Sequence, residues 1–386
     1  MEAARDITFA PRRSRVIEGL NLHRIDGVML GAALGLIAFS IFTLGSATND
    51  EIAGQPMYFV VRQGLYAAIG IGVMIALSRF DYTRLRAVRG TLYAVMIGSI
   101  LLVLLGGTAV RGSHRWIELP LFRFEPSELA KVLLCVSLAA VIFERVRRPF
   151  GLASTFRFLA LGLLPAGLVF LQPDLGTGIV LIVITFAVLF SAGIPWQHFA
   201  AIGAAAVVLV GAAYVGGHAV GIDYLHGYQQ DRLTAFLHPS DDPADASYQV
   251  NQAVIAVGSG EEVGRGHDST QTELLFVPER HTDFIFAVIG ERFGFTGSAF
   301  VILLYAVIFW RALRVMRFSE SFYGTMIAGG IIAMLAFQVV VNIGMTLGLM
   351  PVTGITLPLM SYGGSSVLGT FLALGLLQSI HAHSHR

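Results

Sequence analysis

Val28-Met29-Leu30-Gly31-Ala32-Ala33-Leu34-Gly35-Leu36-Ile37-Ala38-Phe39-Ser40-Ile41-Phe42-Thr43-Leu44-Gly45-Ser46-Ala47 carries no charged side chain from end to end. An α-helix rises about 1.5 Å per residue, so a run of about 20 apolar residues matches the roughly 30 Å hydrocarbon core of a bilayer. Upstream lie Arg5, Arg12, Arg13, Arg15 and Arg24, and no small-residue cleavage site follows the run. The stretch therefore reads as an uncleaved first membrane helix.

The same scan finds ten apolar runs, at 28–47, 57–78, 90–107, 127–143, 157–171, 175–193, 199–217, 284–309, 323–349 and 355–379. The sequence predicts an all-α polytopic membrane protein of about ten transmembrane helices, forming one membrane domain over 1–386. A polar stretch, 218–283, separates the seventh run from the eighth as one large loop. Residues 1–27 and 380–386 are the expected tails. The fifth run ends at Gln172-Pro173-Asp174 and reads as a full, tilted or broken span. Composition agrees: 55% of residues are hydrophobic and 13% charged, against about a quarter charged in a soluble globule. The lone Cys135 excludes an intramolecular disulfide and reads as a buried apolar thiol. Gly27, Gly31 and Gly35, four apart, suit close helix packing.

Arginines orient the set. Arg79, Arg84, Arg86 and Arg89 follow the second run, Arg145, Arg147 and Arg148 the fourth, and Arg311, Arg314 and Arg317 the eighth; Asp50 and Glu51 follow the first. By the positive-inside rule both termini are cytoplasmic and 218–283 is extracytoplasmic. The segment 106–126 is then also outside despite Arg111, Arg115 and Arg123, which suits an anionic ligand. Net charge is only +1 and is segregated along the chain, and no nucleic-acid partner is expected.

Four polar regions are costly in or beside hydrocarbon. In Phe124-Glu125-Pro126-Ser127-Glu128-Leu129-Ala130-Lys131, the proline suits a helix start, and Glu128 and Lys131, three apart, can pair. Lys131 is the chain's only lysine. It either neutralises its partner for insertion or presents a point charge to an anionic headgroup. In Gln172-Pro173-Asp174-Leu175-Gly176-Thr177, Asp174 can cap the sixth helix or line a cavity. Pro278-Glu279-Arg280-His281-Thr282-Asp283 leads straight into the eighth run. Thr282 or Asp283 can cap it, yet the charges exceed what one cap needs, and a carboxylate beside hydrocarbon suits a general base. Pro358-Leu359-Met360-Ser361-Tyr362-Gly363-Gly364-Ser365-Ser366 implies an unwound turn or very close packing; irregular backbone at membrane depth is tolerated only when buried in protein or lining a cavity. Asn342 is its expected hydrogen-bonding neighbour. Gly258–Gly266 lacks the Lys-Ser/Thr ending of a phosphate loop, no Cys/His cluster has zinc spacing, and His381, His383 and His385 read as a solvated tail.

In combination these motifs resemble the SEDS proteins (shape, elongation, division and sporulation), which include RodA, FtsW and SpoVE. Gly227–Leu233 and Tyr248–Gly260 resemble that family's large loop, and Pro278–His281 and Gln172–Thr177 lean toward RodA. Two departures stand out. Glu261-Glu262 follows Gly260 where a second glycine is usual, and Arg292 follows Glu291 where two acids are common.

The resemblance implies a peptidoglycan glycosyltransferase of the bacterial cytoplasmic membrane, polymerising lipid II at the outer face with a class B penicillin-binding protein as partner. Asp283 matches the family's catalytic aspartate, and Glu128 and Lys131 its paired charges. Arg115, Glu128, Lys131, Gln172, Asp174, Arg280, His281 and Ser361 are the expected substrate contacts. Pyrophosphate departure needs positive charge, from Lys131, Arg115, Arg280 or a divalent cation (Mg or Mn). The alternatives are a lipid II flippase, a polymerase serving division or sporulation, and a scaffold, which leaves the polar cluster without a purpose.

Overall fold

The structure is a computed structural model and describes residues 25–47, 57–106, 108–110, 113–118, 123–145, 150–205, 245–266, 269–273 and 276–384. The N-terminal arginines, Asp50, Glu51, Arg111, Arg147, Arg148, His385 and the Gly227–Leu233 stretch lie outside them.

Helices α1 (Gly27–Ala47), α2 (Tyr58–Arg79), α3 (Arg89–Gly106), α4 (Pro126–Phe143), α5 (Leu152–Phe170) and α6 (Leu175–Ser191) come first, with a short 3₁₀ turn at Tyr82–Arg86. A helix α7 opens after Pro195 and is described over 196–205. Then follow α8 (Asp245–Ser259), α9 (Thr270–Glu273), α10 (Ile285–Arg317), α11 (Phe322–Thr346) and α12 (Gly364–His383). Among the described residues eight helices, α1 to α5 and α10 to α12, are long and apolar enough to cross a membrane, and α6 is a shorter apolar helix. The chain is a multi-pass membrane protein of about ten helices, as its apolar runs predict.

Burial sorts the helices. About 78% of α4 and 83% of α12 is buried inside the protein, against 17% of α3; α4 and α12 are pillars and α3 presents most of its surface outward. The α12 pillar packs along α2, α11 along α6, α3 along α4, and α1 along α10. Leu102, Leu105, Phe156, Phe190 and Leu303 remain exposed, as expected where the solvent is lipid rather than water. Of Gly27, Gly31 and Gly35, Gly35 alone meets a neighbour among the described residues, the Leu304 side chain.

At one end of the bundle the arginines gather. Arg311 pairs with buried Asp26 at 2.6 Å, and Asp26 exchanges two hydrogen bonds with Gln378. Arg89 pairs with Glu144 at 2.8 Å, and Arg86 lies over the Phe143 ring at 4.7 Å. The expected C-terminal tail is shorter than 380–386. Helix α12 continues to His383, and His381 and His383 are half-buried in its last turn rather than solvated.

Three boundaries differ from the sequence reading. The fifth span is a 19-residue helix that begins at Leu152 and carries Pro165 within it. The eighth continues to Arg317 and breaks at Gly294, whose backbone (φ 63°, ψ −156°) is open to glycine and strained for other residues. The tenth starts at Gly364, so 351–363 is non-helical backbone.

The large loop is not featureless. Helix α8 packs on α10, and the glycine-rich stretch after it closes over the break. Phe295 N and Thr296 N, which lose their helical acceptors at Gly294, donate to the Glu261 and Glu262 carbonyls at 2.9 and 3.0 Å. A break in a membrane helix is tolerated when its backbone groups are satisfied this way. A Cβ on Gly260 or Gly264 would overlap the Gly290 or Arg292 carbonyl. These glycines serve close approach of two backbones, consistent with their failure as a phosphate loop. The 108–124 segment adds a small antiparallel sheet, β1 (Thr108–Val110), β2 (Ser113–Glu118) and β3 (Arg123–Phe124), in that order.

Candidate functional site

The site lies at the end opposite the arginine cluster, where α4, α6, α10 and the 351–363 segment converge. Asp283 is half-buried, two residues before α10. The position capping this helix is Phe284, without a side-chain bond; neither Thr282 nor Asp283 occupies it, and the Thr282 hydroxyl turns back to Glu279.

The backbone around Asp283 is pinned from three sides. Asn342 of α11 donates from Nδ2 to the Asp283 carbonyl at 2.8 Å and to the Ile355 carbonyl at 2.7 Å. Ser361 Oγ donates to the Thr282 carbonyl at 2.6 Å and accepts from Leu357 N at 2.8 Å. Tyr362 N donates to the His281 carbonyl at 2.8 Å. In turn Ser40 of α1 holds the Met360 carbonyl, Gln63 of α2 the Ser361 carbonyl, and Tyr305 of α10 the Pro358 carbonyl. The unwound segment is thus satisfied by side chains from distant helices. Glu279 (φ 50°) and Leu359 (φ 65°) hold left-handed backbone here, a strain of about 1–2 kcal/mol each.

Gly354 (φ +72°) brings the segment against the base candidate; a Cβ there would lie 3.5 Å from Asp283 Oδ2. One residue earlier the segment meets α6, where a Cβ on Gly176 would lie 2.7 Å from the Thr353 carbonyl. Asp174 caps α6, accepting from Thr177 N at 3.2 Å, and also faces Arg115 of β2 at 3.8 Å. The capping reading of Asp174 therefore holds, and the same carboxylate faces a cation. Arg115 further donates to the Pro173 carbonyl.

On the other flank, Lys131 and Glu128 pair at 2.7 Å with side chains only 4% and 9% exposed. Ser365 of α12 accepts from Glu125 N at 2.9 Å, and Gly369 abuts Glu128. Thr356 and Ser366 hydroxyls meet at 2.9 Å. The segment 353–369 is therefore a common floor, with Asp283 at one edge and the Glu125–Glu128–Lys131 group at the other.

The remaining sequence candidates are placed as follows. Gln172 is buried, and its amide donates to the Ile100 carbonyl at 2.7 Å, tying the end of α5 to α3. Arg280 is buried and donates to the Thr272 carbonyl at 2.8 Å. His281 packs with its ring tilted against Phe59 at 4.7 Å and meets Tyr362 at 6.0 Å. Three residues were not selected from sequence. Arg62 lies over the Tyr58 ring at 4.3 Å, beside the Phe59–Tyr362 group; its lone charge in the second apolar run was the available signal. Buried Glu291 accepts from Gln271 N and Thr272 N at 2.8 and 2.9 Å and from the Thr272 hydroxyl. It clamps α9, whose Thr272 in turn holds Arg280. Glu125 is the third. Among the described residues, no three His, Cys, Asp or Glu side chains gather to hold a metal ion.

A half-buried carboxylate beside the 353–369 segment, with a buried ion pair packed against the far part of the same segment, can accept a proton from a bound hydroxyl. The comparisons agree on the kind of protein. Residues 25–386 match the cell cycle protein family of FtsW, RodA and SpoVE. Escherichia coli peptidoglycan glycosyltransferase MrdB is 35% identical over 93% of this chain and 94% of its own. Stage V sporulation protein E of Bacillus subtilis is 34% identical over 92% and 95%. Among solved structures, a peptidoglycan synthase complex coordinating polymerization and crosslinking has a chain that superposes with a TM-score of 0.79 at 31% identity, over 94% of this chain and 99% of that one. The rod shape determining protein RodA of Thermus thermophilus gives 0.69 at 29%, over 95% and 100%. With the motif residues gathered at one floor and matches running along nearly the whole chain, the protein belongs to the FtsW/RodA/SpoVE family.

Proposed function

We infer that the chain is a peptidoglycan glycosyltransferase that polymerises lipid II, in the cell-elongation role of the RodA branch. The observation that carries this reading is the shared floor, 353–369, which sets the Asp283 carboxylate on one side and the Lys131–Glu128 pair on the other. The relatives named for this activity align over more than nine-tenths of both chains.

In the proposed step the acceptor's sugar hydroxyl attacks the anomeric carbon of the donor. Its oxygen forms the new glycosidic bond as the bond from that carbon to the phosphate oxygen breaks, and the polyprenyl diphosphate leaves with the electron pair. A sugar hydroxyl is a poor nucleophile near neutrality, so Asp283 accepts its proton as the bond forms. One base and a good leaving group need no covalent intermediate, and the anomeric centre inverts. Lys131 and Arg115 face the charge gathering on the diphosphate. Gly354 leaves space beside the carboxylate, while Asn342 and Ser361 hold the backbone on which it sits.

The positive-inside pattern supports cytoplasmic termini and, with them, a floor at the outer face, within reach of lipid-linked precursors and a class B penicillin-binding protein. A transport site is expected near the midplane; here the cluster sits at helix ends. The test is polymerisation of lipid II by the purified chain with a transpeptidase-dead partner. Long glycan strands are the expected product. No product from a folded complex, with lipid movement in a scrambling assay, overturns the reading in favour of a flippase.

A further inference from the structure

Among the described residues, three carboxylates and two cations meet where α4 begins. Glu128 and Lys131 are on α4, Arg115 is on β2, Asp174 caps α6, and Glu125 stands immediately before Pro126. Arg123 on β3 is exposed and turns to Glu118 at 3.8 Å. From α12 the neutral hydroxyl of Ser365 meets the group. Lys131 pairs with Glu128 and Arg115 with Asp174. These four formal charges cancel, so the state of Glu125 decides the net charge that an arriving diphosphate meets.

Glu125 is held to that position. Pro126 restricts the residue before it to extended backbone, and Glu125 has φ −110° and ψ 102°. Its N–H is fixed to Ser365 Oγ at 2.9 Å, and Ser127 Oγ donates to Oε1 at 3.0 Å. That leaves Oε2 to carry a proton. Resting on the proposed activity, we propose that Glu125 works as a neutral carboxylic acid, donating a hydrogen bond to the donor's diphosphate, and that its ionisation switches substrate binding off.

Burial, reinforced by the facing Glu128 and Asp174, pushes the Glu125 carboxyl up to about 8, against the opposing pull of Lys131 and Arg115. The sign follows. Below that pH the group is protonated, the cluster is neutral and a donor O–H is present. Above it the cluster is net negative and the donor is gone, so an anionic diphosphate binds less well.

The test measures lipid II binding and the KM of polymerisation in the partner complex from roughly pH 6.5 to 9.5, for wild type, Glu125→Gln and Glu125→Ala. In wild type both Kd and KM rise above about pH 8, approaching tenfold per unit. Glutamine keeps a donor and cannot ionise, so that rise is absent in the Gln variant; the Ala variant, without a donor, binds more weakly than the Gln variant across the range and likewise shows no rise. A wild-type Kd that is flat through this range overturns the proposal whatever the variants do. So does the same alkaline rise in wild type and Glu125→Gln. Full polymerisation by Asp283→Asn would sink the base assignment yet leave this binding contrast standing, so the two failures are distinguishable.

Discussion

Replacing Glu128 with leucine leaves Lys131 as a buried cation without its counter-charge. The two side chains are 2.7 Å apart and 9% and 4% exposed, so water reaches neither freely. Removing one partner of such a pair costs about 3–5 kcal/mol, whereas replacing both with apolar groups of similar volume is often neutral or stabilising. Glu128→Leu and Lys131→Met are therefore each expected to lose about 3–5 kcal/mol. The double variant loses no more than either single one. Reversible unfolding in detergent or nanodiscs, run as a double-mutant cycle, reads the coupling directly. Activity is a separate readout: the double variant is stable but polymerises poorly, because the cation is gone. If the singles cost only a few tenths of a kcal/mol and add, the pair is solvated like a surface salt bridge and the dry-site reasoning fails.

Two further substitutions probe the loop and the floor. Gly260→Ala places a methyl group into the Gly290 carbonyl; the loop is expected to detach from the α10 break, seen as faster hydrogen exchange at Phe295 and Thr296. Gly354→Ala must hold φ +72° and sets a methyl group in van der Waals contact with Asp283 Oδ2. That costs about 1–2 kcal/mol of stability, and polymerisation is expected to fall more steeply than the melting temperature.

What was legible in the sequence was local. A run such as 28–47 declares a span by length alone. Asp174 as a cap and Glu128 with Lys131 as a pair follow from spacings of three residues, and both stand in the structure. What was missed depends on distant partners. The turn near 358 and its neighbour Asn342 are legible, but the start of non-helical backbone at 351 is not: the segment is apolar enough to extend a span, and Ser40, Gln63 and Tyr305 hold it unwound from three other helices. Helix α8 escaped because a scan for wholly apolar runs does not see a half-polar helix packed on α10. The break at Gly294 was hidden for a related reason: its orphaned N–H groups find acceptors some thirty residues upstream, at Glu261 and Glu262.

Glu125 shows the limit most plainly. Beside Pro126 it reads as a residue at a helix start. Only when β2, the α6 cap and α12 close around it does it become a third acid in a neutral cluster.

The central claim is that Asp283 accepts the proton of the attacking hydroxyl. Its most direct measurement is single-turnover polymerisation by Asp283→Asn in the partner complex, with lipid II binding recorded on the same preparation. Asparagine keeps the shape and cannot act as the base, so the account predicts lipid II binding close to wild type. It also predicts a rate lower by about 10²–10⁴-fold, the usual contribution of a positioned general base. Wild-type strand synthesis by the folded, lipid-binding variant would contradict it.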